Sequence, residues 1–301
     1  MSANAAVVAR PESRFLATLR AYVSLTKPRI IVLLLVTTVP AMVVAEGGWP
    51  SNWLVLATLI GGTLSAGGAN AINCWYDRDI DGVMRRTRSR PLVTGAIEPW
   101  RGLTFGVSLG VAAFVFLWLT TTPAAACLSG SALLFYVFVY TAWLKRRTPQ
   151  NIVVGGAAGA FPPMVGWAAV DGNITLASVA MFAIIFCWTP PHFWALSLRL
   201  KDDYADAGVP MLPVTAGPAF TRTQILRYSV VLVAVSLVLA PAANLHGLYL
   251  GLALALGGAF IWFAARLWRS PETESPMTLY KYSLLYLGAL FVVMGLDATL
   301  L

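Results

Sequence analysis

Charge is the scarcest feature of this 301-residue sequence. Only 11% of its residues are Asp, Glu, Lys or Arg, against about 25% in an average soluble domain. That shortage excludes an ordinary soluble globular chain. Cysteine is scarce too. Cys74, Cys127 and Cys187 are widely spaced, with no CxxC pair, so neither a disulfide framework nor a zinc knuckle is supported. The two histidines, His192 and His246, are too far apart to form a local His cluster. No GxxxxGKS/T phosphate loop occurs. The glycine-rich runs GGTLSAGGANA (61–71) and GGAAGAFPP (155–163) lie inside apolar segments, where small residues favour close helix approach.

Apolar residues fill the rest. Hydrophobic residues make up 58% of the chain and the mean hydropathy is +0.73. A helix needs ~20 mostly apolar residues to cross a bilayer core. Segments 30–46, 52–76, 102–120, 124–144, 151–170, 174–198, 226–243, 247–267 and 280–299 qualify. The expected fold class is all-α: a polytopic membrane protein built as a bundle of nine transmembrane helices. Residues 1–29 read as a cytoplasmic N-terminal segment and 30–301 as the membrane domain. Phe15, Leu16, Leu19, Tyr22 and Val23 recur at helical spacing, as in a helix lying on a membrane, but the segment reads as a basic flank. It lacks the apolar core and cleavage site of a secretory signal.

Nine spans sort the basic residues cleanly. All 21 Lys and Arg fall on the N-terminal tail, from Arg10 to Arg29, or on alternate loops and their flanks. The other loops hold none. The positive-inside rule then puts the N-terminus in the cytoplasm and the C-terminus outside. Orientation and anionic headgroups account for most of the net charge of +8, so no nucleic-acid partner is expected; the lipid bilayer is the partner implied. With no long transit peptide in view, the expected location is a bacterial cell membrane.

Orientation does not explain the acids. Six of the 13 acidic residues form two clusters on the inner side, Asp77, Asp79 and Asp81, then Asp202, Asp203 and Asp206. Each cluster directly follows a span. Asn73, Asp77 and Asp81 are spaced by four, which lines them along one helix face. Asp202 and Asp206 repeat that spacing. Like charges one turn apart repel unless cations sit beside them. Hard carboxylate oxygens suit Mg²⁺, an ion often shared with substrate phosphates. Neighbouring Arg85, Arg88, Arg90, Lys145 and Arg146 can hold a polyphosphate by charge-assisted hydrogen bonds, with Lys27 and Arg29 further candidates. The sequence therefore reads as a diphosphate–Mg²⁺ site at the inner mouth of a helical bundle. A solvated salt-bridge network is the bland alternative, and Asp79 and Asp202 fit it best.

At these motifs the chain resembles the intramembrane prenyltransferases of the UbiA superfamily, nine-helix bundles with two Asp-rich motifs. LTKPRI (25–30), NCWYDRDIDGVMRRTRSRPL (73–92), YTAWLKRRTPQNIVVGGAAGAFPPMVGW (140–167) and WTPPHFWALSLRLKDDYADAGVPMLPV (188–214) resemble the branch that farnesylates haem. The resemblance implies Mg²⁺ as cofactor and farnesyl diphosphate and haem B as substrates. A vinyl group of haem B takes up the farnesyl group, and the product, haem O, serves terminal oxidases. Haem A synthase and oxidase assembly proteins are the candidate protein partners. Asn73, Asp77 and Asp81 match the first motif. Arg85, Arg88 and Arg90 match the basic run after it, and Lys145, Arg146 and Asn151 match the third segment. Asp203 and Tyr204 match the second motif of the haem branch, whereas Asp202 and Asp206 fit the wider superfamily's spacing. Both assignments stay open. Cys74 stands where the wider superfamily often has an aspartate.

Breaking an allylic C–O bond leaves a carbocation, which aromatic faces stabilise. Trp75, Tyr76, Tyr140, Trp143, Trp188, Phe193 and Trp194 are candidates near the mouth. His192 follows two prolines expected to kink or unwind the sixth span, and it is the histidine placed to ligate haem iron or to cap a broken helix. Two rivals remain open: transfer to another acceptor, such as a hydroxybenzoate or chlorophyllide, and a transporter using the acids as an ion path.

Overall fold

The computed structural model of the chain describes residues 14–300. Residues 1–13, with Arg10, and Leu301 lie outside the described residues. Every regular element among the described residues is helical. Nine of the helices are long and apolar enough to cross a membrane, and the fold is an all-α membrane bundle.

The spans are α2 (Pro28–Glu46), α3 (Asn52–Tyr76), α5 (Pro99–Thr120), α6 (Pro123–Leu144), α7 (Asn151–Asp171), α8 (Leu176–Arg199), α11 (Gly217–Ala242), α12 (Gly247–Arg269) and α13 (Pro276–Leu300). Shorter helices are α1 (Arg14–Thr26), α4 (Arg78–Val83), α9 (Lys201–Asp206) and α10 (Leu212–Thr215). Each span packs on the next, and α13 closes the ring on α2. The ring is pinched where α2 meets α7 and α8 meets α13. In α3 and α7, 61% of the apolar window is buried, against 22% in α5 and α6. So α3 and α7 form the interior, and α5 and α6 face lipid. Close approach of α3 to α5 depends on Gly68 and Gly106, since a Cβ on Gly68 would stand 2.7 Å from the Gly106 carbonyl oxygen.

Several spans begin earlier than the hydropathy suggests, and α11 starts at Gly217 rather than 226. Proline explains most of these starts. Pro28, Pro99, Pro123 and Pro218 occupy the first turns of their helices, where a missing N–H costs nothing. Arg222 and Arg227 therefore lie on α11, not in a loop. The expected unwinding at Pro190 and Pro191 does not occur: α8 runs through both. Membrane helices tolerate such prolines because neighbouring groups take over the freed carbonyls.

The described part of the N-terminal flank is helical rather than a plain basic tail. α1 is a helix, anchored by fully buried Leu25 against Ala71 and Cys74 of α3 and by a Tyr22–Phe105 edge contact at 5.0 Å. Phe15, Leu16, Leu19 and Val23 stay exposed on its other side. An apolar face left bare beside a bundle end is the signature of an interfacial helix.

At the end of the bundle away from the charged loops, the Asp297 carboxylate is buried. It accepts backbone N–H groups of His246 (2.5 Å) and Tyr249 (2.9 Å) at the start of α12. One helix thus caps the positive end of another. Removing this cap in Asp297→Ala should cost about 1–3 kcal/mol. The readout is a lower unfolding midpoint in detergent; an unchanged midpoint would show that the cap is dispensable.

Candidate active site

α3 carries Asn70, Asn73 and Asp77 down one face. The helix ends at Tyr76 and Asp77 caps it, with its N–H bonded to the Asn73 carbonyl at 3.0 Å. α4 resumes at Arg78, and the Asp81 N–H bonds to the Asp77 carbonyl at 2.8 Å. Four-residue spacing thus survives the break. Asp77 and Asp81 face inward, 0% and 2% exposed, while Asp79 faces out.

Asp77 is the centre of a charged cluster. Asn73 Nδ2 donates to Asp77 Oδ2 at 2.8 Å and to Thr141 Oγ1 at 3.1 Å. Lys145 forms a very short ion pair with the same carboxylate oxygen. Lys27 Nζ donates to Asn73 Oδ1 at 2.8 Å, which fixes the amide's orientation. Lys27 reaches there from a left-handed backbone, φ 54° and ψ 60°, a conformation costing a non-glycine residue about 1–3 kcal/mol. Burial lowers its ammonium from the usual lysine range to about 8. Arg146 grips Asp79 with two 2.7 Å hydrogen bonds. Those bonds hold the Asp79 carboxyl at about 2. Asp79, 61% exposed in its side chain, is thus a solvent-facing salt-bridge acid, as its sequence position suggested, and it holds Arg146 beside the cluster. Arg90 pairs with Asp81 at 2.5 Å.

Two features here escape the sequence. Between Phe135 and Leu144, α6 widens into a π-helical stretch, and the Lys145 N–H bonds back five residues to the Tyr140 carbonyl at 2.9 Å. This added residue per turn, common at functional sites, turns Thr141 and Lys145 toward Asp77. The second is Tyr136, one turn outward of Tyr140. Its ring lies 5.3 Å from Tyr140 and within electrostatic reach of Asp77, Asp81 and Arg90. A Tyr-x-x-x-Tyr spacing before the basic KRR run was the available signal.

The second Asp-rich segment forms another wall. Tyr204 on α9 is buried with Met84, Ile152, Val209 and Met211, and Tyr140 packs on the same cluster. Arg86 hydrogen-bonds its hydroxyl, whose pKa burial raises. Asp203 is half-buried, while Asp202 and Asp206 are exposed. Of the two readings of this motif, the geometry turns Asp203 and Tyr204 inward. Asn151, fully buried, donates to the Lys145 carbonyl at 3.3 Å.

Other candidates lie elsewhere. Arg29, Arg85 and Arg88 are exposed at the rim. His192 is stacked between Trp188 (4.1 Å) and Tyr280 (4.6 Å), and its Nδ1 meets Ser283 Oγ at 2.6 Å. Those contacts place it in the α8–α13 seam. Of the expected aromatics, Trp143 is exposed and Trp194 is buried against Tyr228. Tyr140 stays at the cluster, joined by Tyr76, over whose ring the Arg146 guanidinium sits at 5.1 Å.

The residues fit a hard divalent cation. Asp77 Oδ1 and Asn151 Oδ1 are buried oxygens without a hydrogen-bond donor; for Asp77 Oδ1 the nearest cation, Arg146, stands 3.5 Å away. All-oxygen ligands suit Mg²⁺. Among the described residues, no three Asp, Glu, His or Cys side chains form a preassembled metal group, so substrate oxygens would have to complete the shell.

Directly beyond Asn73 lies a half-open cavity of about 180 Å³ between α2, α3, α6 and α7. Leu34, Leu35, Ala66, Leu133 and Phe161 line its walls, Asn70 and Tyr136 its charged end. A charged mouth opening into a greasy channel is what a diphosphate with a long hydrocarbon tail requires.

Comparison with known proteins agrees. Residues 34–288 match the model of the UbiA prenyltransferase family. A protein of Clavibacter sepedonicus named protoheme IX farnesyltransferase is 52% identical over 284 residues, covering 93% of each chain. The protein of that name from Frankia alni is 48% identical, over 94% of this chain and 99% of its own. A solved UbiA homologue from Archaeoglobus fulgidus, bound to DMAPP and Mg²⁺, superposes with a TM-score of 0.68 over 92% of this chain and 98% of its own, at 16% identity. A match over most of the chain, in a bundle whose buried acids meet an apolar channel, has one reading: this chain belongs to the UbiA prenyltransferase family.

Proposed function

We propose that the charged mouth binds farnesyl diphosphate with Mg²⁺ and that the farnesyl group passes to a vinyl group of haem B, giving haem O and diphosphate. One observation carries the site. Asp77 is fully buried, holds a donor-free oxygen, and is ringed by Lys145, Arg146 and Asn73 at the head of an apolar cavity. The acceptor is inferred from relatives about half identical over nearly the whole chain.

Asn73, Asp77, Asp81 and Asp203 are the residues that would hold the metal; Asp202 and Asp206 face away. Bound Mg²⁺ would supply Lewis-acid stabilisation of the leaving diphosphate. Lys145, Arg146 and Arg90, with Arg85 and Arg88 at the rim, would take the growing negative charge by charge-assisted hydrogen bonds. The tail lies in the cavity. As the C–O bond breaks, its electron pair leaves with diphosphate. The Tyr136 and Tyr140 rings face the allylic cation, and the apolar walls keep water from it. The vinyl π electrons form the new carbon–carbon bond, water adds to the resulting cation, and a proton is lost.

Lys27 and Arg29 line a groove between α1 and α2 floored by Leu19, Val23 and Ile30. Cations over an apolar floor suit the propionates and ring of haem; Tyr204 and Asn151, buried behind the charged cluster, are further candidates for holding the acceptor. We place the charged end in the cytoplasm, by the bias of basic residues, and the protein in a bacterial cell membrane. The test supplies purified protein with haem B, farnesyl diphosphate and Mg²⁺. A pigment more hydrophobic than haem B should form and should vanish on chelation with EDTA. If no such pigment forms while a hydroxybenzoate is prenylated, the haem assignment is wrong.

A further inference from the structure

We infer that Gly62 sets the length of the prenyl chain by leaving room for the third isoprene unit. This rests on the reading that the cavity seats the donor's tail. Along α3 the cavity is lined by Thr58, Gly62, Ser65, Ala66, Ala69 and Asn70, all on one helical face. From Asn70 to Thr58 the helix rises about 18 Å, just over three turns. An extended isoprene unit is about as long as one turn, about 5 Å. The lined length therefore matches three units, the length of a farnesyl chain.

Depth can be read from cross-helix contacts. Asn73 meets Thr141 at the mouth. Two turns deeper, Ser65 Oγ donates to the Ser129 carbonyl at 3.3 Å. Gly62 lies about one turn beyond that level, where the third unit begins. Gly159, also on the lining, sits at the mouth instead. It is one turn outward of Gly155, which packs on Tyr140, and so stands level with Tyr136.

Glycine at 62 has no packing reason. A Cβ on adjacent Gly61 would collide with Leu117, and one on Gly68 with the α5 backbone, but a Cβ on Gly62 meets nothing within 4 Å. A helix-interior glycine costs about 1 kcal/mol relative to alanine. What the missing side chain does provide is open space inside the cavity. Between Asn70 and Gly62 just over two turns remain, enough for a geranyl chain. A large side chain at 62 should cut the usable length to that.

The test measures transfer to haem B from farnesyl and geranyl diphosphates by wild type, Gly62→Ala, Gly62→Leu and Gly159→Leu. In Gly62→Leu, farnesyl transfer should fall at least about tenfold, with geranyl transfer kept within about threefold. Gly62→Ala should move the ratio the same way by less. Gly159→Leu, at the mouth, should depress both donors together. Equal loss of both donors in the two Gly62 variants, or undiminished farnesyl transfer in Gly62→Leu, would overturn the proposal. Failure of the wild type to use farnesyl diphosphate at all would instead overturn the function proposed above, so the two failures are distinct.

Discussion

Asp77→Asn should lower farnesyl transfer by about 10²–10³-fold, the loss typical when one preorganised electrostatic element is removed from an active site. The substitution keeps shape and removes one negative charge from a position that is 0% exposed. Lys145 and Arg146 would then face a neutral amide, and the donor-free oxygen that fits a metal would lose its charge. Helix packing should survive, because the hydrophobic clusters do not depend on this carboxylate. The measurement is initial rate in detergent, paired with unfolding midpoint and membrane yield. Wild-type activity in a well-folded Asp77→Asn would remove Asp77 from the site.

Lys145→Ala should do its damage differently. Its ammonium is the closest cation to Asp77, and side-chain exposure is 13% for Lys145 and 0% for Asp77. Breaking a buried pair from one side costs about 3–5 kcal/mol, because the remaining charge stays in a poor solvent. Arg146, 3.5 Å from the other carboxylate oxygen, relieves part of this, so the lower end of that range is expected. Two readouts follow. The unfolding midpoint should drop well below wild type without metal. Saturating Mg²⁺ should then raise the variant's midpoint more than it raises wild type's, because Asp77 has lost the cation that competes with the metal. An equal rise in both proteins would mean that Lys145 and the metal do not share Asp77. Transfer should fall as well, since the leaving diphosphate loses one of its cations.

Much of this site is legible in the chain. Asn73, Asp77 and Asp81 share a face by spacing alone, and the structure keeps that face although α3 ends at Tyr76. The nine spans follow from hydropathy, with errors concentrated at first turns that begin with proline and read as polar. The cations were harder. Arg85, Arg88 and Arg90 look alike in sequence, yet Arg90 turns in to Asp81 while the other two stay at the rim. Which arginine turns inward depends on how loop 84–98 folds over α3, and no local pattern encodes that. Thr141 was invisible because its direction depends on the π-helical stretch of α6. His192 drew attention as a rare ionisable group beside two prolines, but its partners, Ser283 and Tyr280, come from α13.

The sequence by itself determined what burial and charge dictate one residue at a time: which segments must leave water, which side of the bundle holds the basic residues, and which acids share a helix face. Hydropathy and helical period are local, so a single chain displays them. Tertiary structure alone decided what depends on distance between helices. It paired Lys145 with Asp77, Arg146 with Asp79 and Lys27 with Asn73, and it hollowed the channel that Gly62 leaves open. Those facts depend on how α2, α3, α6 and α7 meet, and ion pairing and cavity shape exist only once they have met.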